Sequence, residues 1–373
     1  MSKETIQWLN ANTLVGFTTD RDKYAGNGFL IDGRPWWQID GYQGGFEGPI
    51  PVQAVLDRLF YWEATEGDLT VRIPVDDAED MDGIADDGSM YRNMIVPGRK
   101  AIIRPDTEEV LGVFMSGYQV HQYHEWLIEN VHSIVDDSEA GIATAGLLRG
   151  GAQAYVSIEL PEAVTTASGF PLRSNIIAMT SMNGSLATTY KAGAHAPVCD
   201  NSLAWFTGGE ANRIKIKHSS NSLRRIGSVR DALGILYSTT EQMVEFLDRC
   251  AETTVTDDQW RQVVAAIVQP PDPQPNGKGG LVNQRAVTIA GNKVDELWDL
   301  YKRDKRVGNL TGTLAGVYQA ANTWNEHFRT RNDNGVERVM QGVVDGSSDQ
   351  FDREFWRIVD QVGVRVPELE VAA

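Results

Sequence analysis

The chain contains 373 residues, 42% of them hydrophobic, and carries a formal net charge of -17. A chain of this length can bury one large core or two smaller ones. Its pI near 4.8 argues against general adhesion to nucleic acids or anionic membranes. It leaves open binding through one local basic groove.

The sequence contains neither a signal peptide nor a run of about 18 apolar residues. We therefore expect a soluble protein of the cytoplasm that does not bind membranes. The two cysteines, Cys199 and Cys250, lie far apart and fit no metal-ligand spacing. Incidental thiols of this kind are typical of a reducing cytosol.

Residues 1–90 are predicted to form an N-terminal α/β extension, with a helix over 52–63 and a strand over 71–75. Seven acidic residues follow between positions 76 and 87. The order Asp80-x-Asp82-Gly83 resembles the middle of an EF-hand loop, but Ala78 and Ser89 stand where that loop needs its outer ligands. We expect a solvated loop here rather than a metal site.

Residues 91–240 are predicted to form a central α+β body. One helix is expected over 120–135, and the predicted strands are 100–104, 110–115, 152–160, 174–181, 187–191 and 211–218. The links between these strands are too short for repeated βαβ crossovers. The predicted fold class is therefore α+β, a mainly antiparallel sheet with helices on one face, followed by a helical C-terminal region.

Residues 241–373 show helical spacing of apolar residues over 241–268, 293–305, 314–329 and 352–362. A Pro/Gly-rich insertion at 269–280 is expected to be exposed. Large apolar side chains at three- and four-residue intervals are expected to be buried. They are Trp298, Tyr301, Leu314, Val317, Tyr318, Trp324 and Phe328.

The segment 212–230 holds six Lys or Arg residues and no acid, so the rest of the chain carries -23. Arg213, Lys215 and Lys217 alternate with Ile214 and Ile216. A strand with this alternation places its cations on one face and its isoleucines on the other. Two interpretations are open: a surface that faces a polyanion, or a solvated edge strand whose lysines discourage edge pairing.

Signals of catalysis are weak. His121 and His124 could share a helix face, but no HExxH motif accompanies them. The sequence also lacks phosphate-binding loops of the GxxxxGK[ST] or GxGxxG type. Arg149 and the glycines after it could bind a phosphate or form only a turn. We predict no catalytic residue, no metal and no cofactor, and we favour a non-enzyme while leaving activity open.

Five segments in order resemble a phage- and plasmid-borne family of unknown function, number 932. They are KAIIRPDTEEVLGVFMSGYQV, AGLLRGGAQAYVSIELPE, SMNGSLATTYKAGAHAPVCDNSLAW, RIKIKHSSNSLRRI and TGTLAGVYQAANTWNEHFR. The resemblance covers residues 90–330 approximately. Phage and plasmid carriage implies a role in DNA recombination, replication or evasion of host defence. A more distant similarity links the chain to Rad52-like single-strand annealing proteins.

That resemblance implies a homo-oligomer, a ring or a filament, that binds single-stranded DNA by its phosphates without a nucleotide. Arg213, Lys215 and Lys217 suit this role. The other cations implied for the groove are Arg149, Arg173, Lys191, His218, Arg224 and Arg225. Tyr190 or Trp205 could stack on bases or could belong to the core.

Two further classes of function remain open. One is a non-enzymatic phage interaction protein in the bacterial host cell, such as an antagonist of host defence, whose acidic surface mimics DNA. The other is a nuclease, which needs clustered carboxylates to hold magnesium. The acidic stretch 76–87 offers candidates, but loop carboxylates without a rigid scaffold make poor metal sites.

Overall fold

The computed structural model describes most of the chain. The described residues are 3–16, 41–134, 140–159, 164–169, 171–195, 202–203, 213–216, 229–277, 279–304, 307–329, 341–342 and 345–367. All structural statements below refer to these residues.

The helices are α1 (Lys3–Asn12), α2 (Val52–Arg58), α3 (Tyr123–Ile134), α4 (Val229–Glu252), α5 (Asp257–Val268), α6 (Gln284–Arg303), α7 (Leu314–Thr323) and α8 (Ser347–Gln361). The strands are β1 (Thr13–Val15), β2 (Thr65–Pro74), β3 (Gly83–Ile84), β4 (Met90–Arg104), β5 (Glu109–Met115), β6 (Gly141–Leu148), β7 (Gln153–Glu159), β8 (Val164–Thr165), β9 (Pro171–Ser181), β10 (Thr188–His195), β11 (Ser202–Leu203) and β12 (Arg213–Ile216).

The main sheet is antiparallel and runs in the order β1-β6-β7-β9-β10-β11, with β12 also pairing with β10. One face, the core face, carries apolar residues such as Val156, Ala178 and Tyr190, which lie opposite one another in register. Side chains of α2 and α3 pack with this face in one buried cluster. Alternation along each strand produces this division, because successive side chains point to opposite faces. The predicted α+β class is confirmed.

The opposite face of the main sheet, the outer face, carries a smaller apolar cluster. Leu148, Tyr155, Ile177 and Met179 are buried there, and Trp8 of α1 packs against them. Helix α1 therefore lies on the outer face, while α2 and α3 lie on the core face. The predicted one-sided arrangement of helices therefore holds for α2 and α3 but not for α1.

The helices α4 to α8 enclose a second core. It includes Trp260, Tyr301 and Phe355, and Leu172 from the core face of β9 joins it. All ten residues of α7 are buried, so this helix is the centre of the bundle. Tyr318 of α7 donates a hydrogen bond of 3.0 Å to the buried carboxylate of Asp352. The expected burial of Tyr301, Leu314, Val317, Tyr318 and Trp324 is confirmed, and Trp298 is partly buried.

Two predictions for the helical region were wrong. The single helix expected over 241–268 is divided into α4 and α5, because Thr256 caps α5 in a capping box with Gln259. Phe328 is 40% exposed. It ends a π-helical turn, Trp324–Phe328. That turn holds one more residue than an α-turn, so a spacing of four no longer returns a side chain to the buried face.

The predicted helix over 52–63 ends at Arg58, since Leu59, Phe60 and Trp62 all turn into the core. Strand β4 begins at Met90, ten residues before the predicted strand 100–104. The acidic stretch expected to be only a loop contains the short strand β3, which pairs with β4. These strand differences share one cause: exposed strands lack the apolar alternation that marks a half-buried one.

Strands β2, β3, β4 and β5 form a second sheet, in which β2, β3 and β5 all pair with β4. A buried arginine joins this second sheet to the main one. Arg104 is 9% exposed and donates to both carboxylate oxygens of Asp106, at 2.7 and 2.9 Å. It also donates to the carbonyl oxygen of Gly150 at 3.0 Å, and its guanidinium lies 4.7 Å from the centre of the Trp62 ring. Tyr61 donates to Asp106 at 2.6 Å. These hydrogen bonds and the contact with the Trp62 ring hold the end of β4 against the turn that connects β6 and β7.

The Asp106 carboxylate should make the stability of the fold depend on pH. Hydrogen bonds from Arg104 lower the pKa of Asp106 from 3.8 to about 2. A depressed carboxyl pKa in the folded state stabilises the fold above the ordinary pKa, and this stabilisation disappears as the pH falls from about 4 to about 2. We expect Asp106→Asn to lower the melting temperature at neutral pH, and the difference from wild type to shrink over that interval. Exposed Asp80→Asn is the charge-matched control. A difference that does not change with pH would contradict the assignment.

Candidate nucleic-acid interface

The short strand β12 contains two of the predicted cations. It pairs antiparallel with β10, so Arg213 lies opposite Lys191 and Lys215 lies opposite Thr189. Directly opposed residues of an antiparallel pair share a face of the sheet. Ile214 lies opposite Tyr190, which belongs to the core face. Arg213, Lys215 and Lys191 therefore all occupy positions on the outer face.

The register of β9 extends this set. Arg173 lies opposite His195 of β10, and Ile177 lies opposite Lys191. Because alternate residues of one strand share a face, Arg173 and His195 also occupy outer-face positions. The fold thus brings four of the predicted cations to one face of three adjacent strands. They are Arg173, Lys191, Arg213 and Lys215.

A row of buried polar residues leads across the outer face to β12. Ser157, Glu159 and Asn175 are 4%, 3% and 5% exposed, and Lys191 is 3% exposed. Among the described residues, the buried Ser157 hydroxyl has no hydrogen-bond partner. Ser157 and Glu159 were not predicted as part of this face. Their alternation with Val156 and Ile158 was the available signal, since it indicates that the second face of β7 is polar.

Tyr190 is 1% exposed, and burial raises the pKa of its hydroxyl. It packs in the core with side chains of α3, so the core interpretation is confirmed and base stacking by Tyr190 is wrong. Trp205, the other candidate for stacking, lies outside the described residues. So do Lys217, His218, Arg224 and Arg225, whose predicted roles stay predictions.

Arg149 lies apart from these cations. It begins a tight turn between β6 and β7 in which Arg149, Gly150 and Gly151 all have positive φ. Four strand spacings separate β6 from β12, which is about 19 Å. With its amide oxygen turned toward the guanidinium, the Gln341 side chain accepts hydrogen bonds from Arg149. The segment forms the predicted turn, and a phosphate-binding role of Arg149 stays a prediction.

In the described part of the chain, neither the two histidines on α3 and the segment before it nor the thiol of Cys250 belongs to a metal-binding cluster. His124 lies 3.8 Å from a carboxylate oxygen of Glu63, and burial lowers the pKa of His121. Cys250 is buried, and burial raises the pKa of its thiol. No group of three metal-ligating side chains occurs among the residues described, and these include the acidic stretch.

The fold and this geometry define an α+β protein with cations on one face of its main sheet. A family model described as "Domain of unknown function (DUF932)" matches residues 110–343, and the chain belongs to this family. Comparisons with curated proteins and with solved structures gave no match. Within the described ranges, no helix is both long and apolar enough to cross a membrane.

Proposed function

We propose that this protein binds single-stranded DNA and anneals complementary strands without ATP, as an oligomer in phage-type recombination. One observation carries the proposal. Arg173, Lys191, Arg213 and Lys215 occupy outer-face positions on three adjacent strands, and β12 provides two of them. A similarity to Rad52-like annealing proteins is part of this proposal.

Charge supports the choice of ligand. Phosphates bind to cations regardless of base sequence, which suits a protein that must accept any strand. The segment 212–230 carries six Lys or Arg residues, and the rest of the chain carries -23. This acidic remainder repels DNA, so the strand is confined to one path. Binding should accordingly be steeply sensitive to salt.

The polar row leaves the phosphate contacts to β12. Lys191 is buried, and the buried carboxylate of Glu159 in the same row offsets its charge, so Lys191 makes no open contact. Strand β12 then provides the contacts at the end of the row. Phosphate contacts leave the base edges open for pairing, which annealing requires.

An annealing assay tests this function. Two complementary oligonucleotides, one of them labelled, are mixed with the protein in EDTA and without nucleotide. We expect the protein to accelerate duplex formation several-fold over the spontaneous rate and to leave both strands intact. No acceleration would contradict annealing. Strand cleavage that appears only when magnesium is added would indicate a nuclease instead.

The second candidate is a non-enzymatic interaction protein, such as an antagonist of host defence. One observation favours it: the second sheet exposes several large apolar side chains beside its acidic stretch. A gel shift at low salt separates the two candidates, because only the annealing protein is expected to shift an oligonucleotide.

A further inference from the structure

The second sheet extends into a ribbon without a core of its own. Strands β2 and β4 pair from Thr65–Ile103 to Pro74–Tyr91, and β3 adds two residues at the far end. No residue between positions 65 and 100 is buried. Isolated two-stranded ribbons are marginally stable at best in water. The ribbon therefore needs a surface to pack on.

The ribbon changes direction where it leaves the body. Asp68 lies opposite Lys100, but Thr70 lies opposite Ile95, so four residues of β4 face one residue of β2. This bulge contains Pro97 and Gly98, and Gly98 has a φ of 71°. Bulges bend a strand pair and re-aim it. We call residues 70–95, beyond the bulge, the arm.

One face of the arm carries most of its exposed apolar side chains, while Ile95, which is 58% exposed, lies on the other face opposite Thr70. Val71 lies opposite Met94, and Ile84 lies opposite Met90, so these side chains share a face. Val71, Met94 and Ile84 are 42%, 49% and 61% exposed. Arg92 is the charged residue on this face, since it lies opposite Ile73. An exposed apolar face with a polar rim is typical of an interaction surface.

The tip of the arm is strongly acidic. Positions 75–89 hold seven Asp or Glu residues and no Lys or Arg. The same chain carries a segment of opposite charge, with six Lys or Arg residues and no acid between 212 and 230. Two of these cations lie in β12, which pairs only with β10 among the described strands. The chain thus contains both halves of a complementary contact.

We propose that the arm docks on a second copy of this chain, with its apolar face against the neighbour's body and its acidic tip beside the neighbour's β12. Such a contact joins two different surfaces, so it leaves one arm and one β12 unused in every pair. Repetition then produces a ring or a filament. The contact should weaken as salt rises, because part of it is electrostatic.

The test measures molar mass by light scattering after size exclusion, at low salt and without DNA. We expect the wild type to exceed the monomer mass of 41.2 kDa. Met94→Asp removes the arm surface and Arg213→Glu/Lys215→Glu removes the β12 surface, so each variant alone should be monomeric. Thr70→Asp, which adds the same charge to the other face of the arm, should behave as wild type.

Mixing the two monomeric variants distinguishes this contact from others. The β12 variant keeps an intact arm, and Met94→Asp keeps an intact β12, so an equal mixture should form a complex of two chains and no larger species. A monomeric wild type would overturn the proposal, because it would show that no second copy of the chain covers the arm. An unchanged mass for Met94→Asp would also overturn it. A β12 variant that stays associated would indicate arm-to-arm contact instead and would equally reject the head-to-tail arrangement.

Strand β12 belongs to both proposals, so DNA and the arm should compete for it. The mass measurement contains no DNA, so a monomeric wild type would reject the oligomer but leave the proposed binding of single-stranded DNA standing. Conversely, a protein that binds no oligonucleotide could still pass the mixing test. Circular dichroism of each variant verifies the fold, which the exposed position of Met94 should leave intact.

Discussion

Replacing Trp324 by alanine is expected to lower the free energy of unfolding by about 3–5 kcal/mol. Trp324 is 2% exposed and belongs to the helical core around α7. The substitution removes a large buried side chain directly after a helix that is covered on all sides, so the surroundings cannot collapse into the cavity. Denaturant unfolding followed by circular dichroism measures the change.

Phe328→Ala is the matched control. Phe328 lies four residues after Trp324 in the same π-helical turn but is 40% exposed. We expect it to cost less than about 1 kcal/mol. Equal stability of Trp324→Ala and wild type would show that the Trp324 side chain is not part of the core.

Replacing Arg213, Lys215 and Lys217 together by glutamate is expected to abolish the binding of single-stranded oligonucleotides. The alternation of these cations with Ile214 and Ile216 assigns them to one face of the strand. The pairing of β12 with β10 agrees, because Ile214 lies opposite the core residue Tyr190. Glutamates there would repel phosphates where the cations attract them. The fold should be retained, because Ile214 and Ile216 are unchanged. A gel shift at low salt measures the effect.

The control for this variant makes the same change in net charge at positions outside β12. Arg261, Arg303 and Arg357 form exposed ion pairs in the helical region, with Asp258, Asp299 and Glu354 respectively. Their triple replacement by glutamate also moves the net charge by six units, so long-range repulsion of DNA changes equally. We expect this control to bind nearly as well as wild type. Equally weak binding by both variants would mean that net charge, rather than β12, governs binding.

Much of the fold could be predicted because buried elements leave a periodic pattern. The strands around Val156, Ala178 and Tyr190 alternate apolar and other residues, and the sheet buries the apolar set. Trp260, Tyr301 and Val317 each belong to a stretch in which apolar residues recur at helical spacing, and all three lie in the helical core. In both cases the residues whose burial stabilises the fold are the same ones that recur periodically in the sequence.

The parts that could not be predicted are those in which burial plays little role. The arm contains no buried residue, and the first half of β4 shows no apolar alternation along the chain, so only its partner β2 was predicted, over 71–75. The break between α4 and α5 depends on the hydrogen bonds of Thr256 and Gln259, which a search for apolar periodicity overlooks. The π-helical turn at Trp324 adds a residue that no propensity indicates.

The cations of the candidate site were predicted one by one, but their arrangement was not. Alternation within 212–230 assigned Arg213 and Lys215 to one face of a strand. Their alignment with Lys191, and the separation of Arg149 from them, depend on strand order and register. These are long-range features that a single sequence does not specify.

The most direct test of the central claim is the binding of a labelled single-stranded oligonucleotide by the wild-type protein as a function of salt. We predict clear binding at low salt that weakens steeply as salt rises. In a variant that keeps partial binding, removing one phosphate-binding cation should reduce the slope of log K against log salt by about 0.7. No binding by the wild type at low salt, or binding that salt does not affect, would contradict the account.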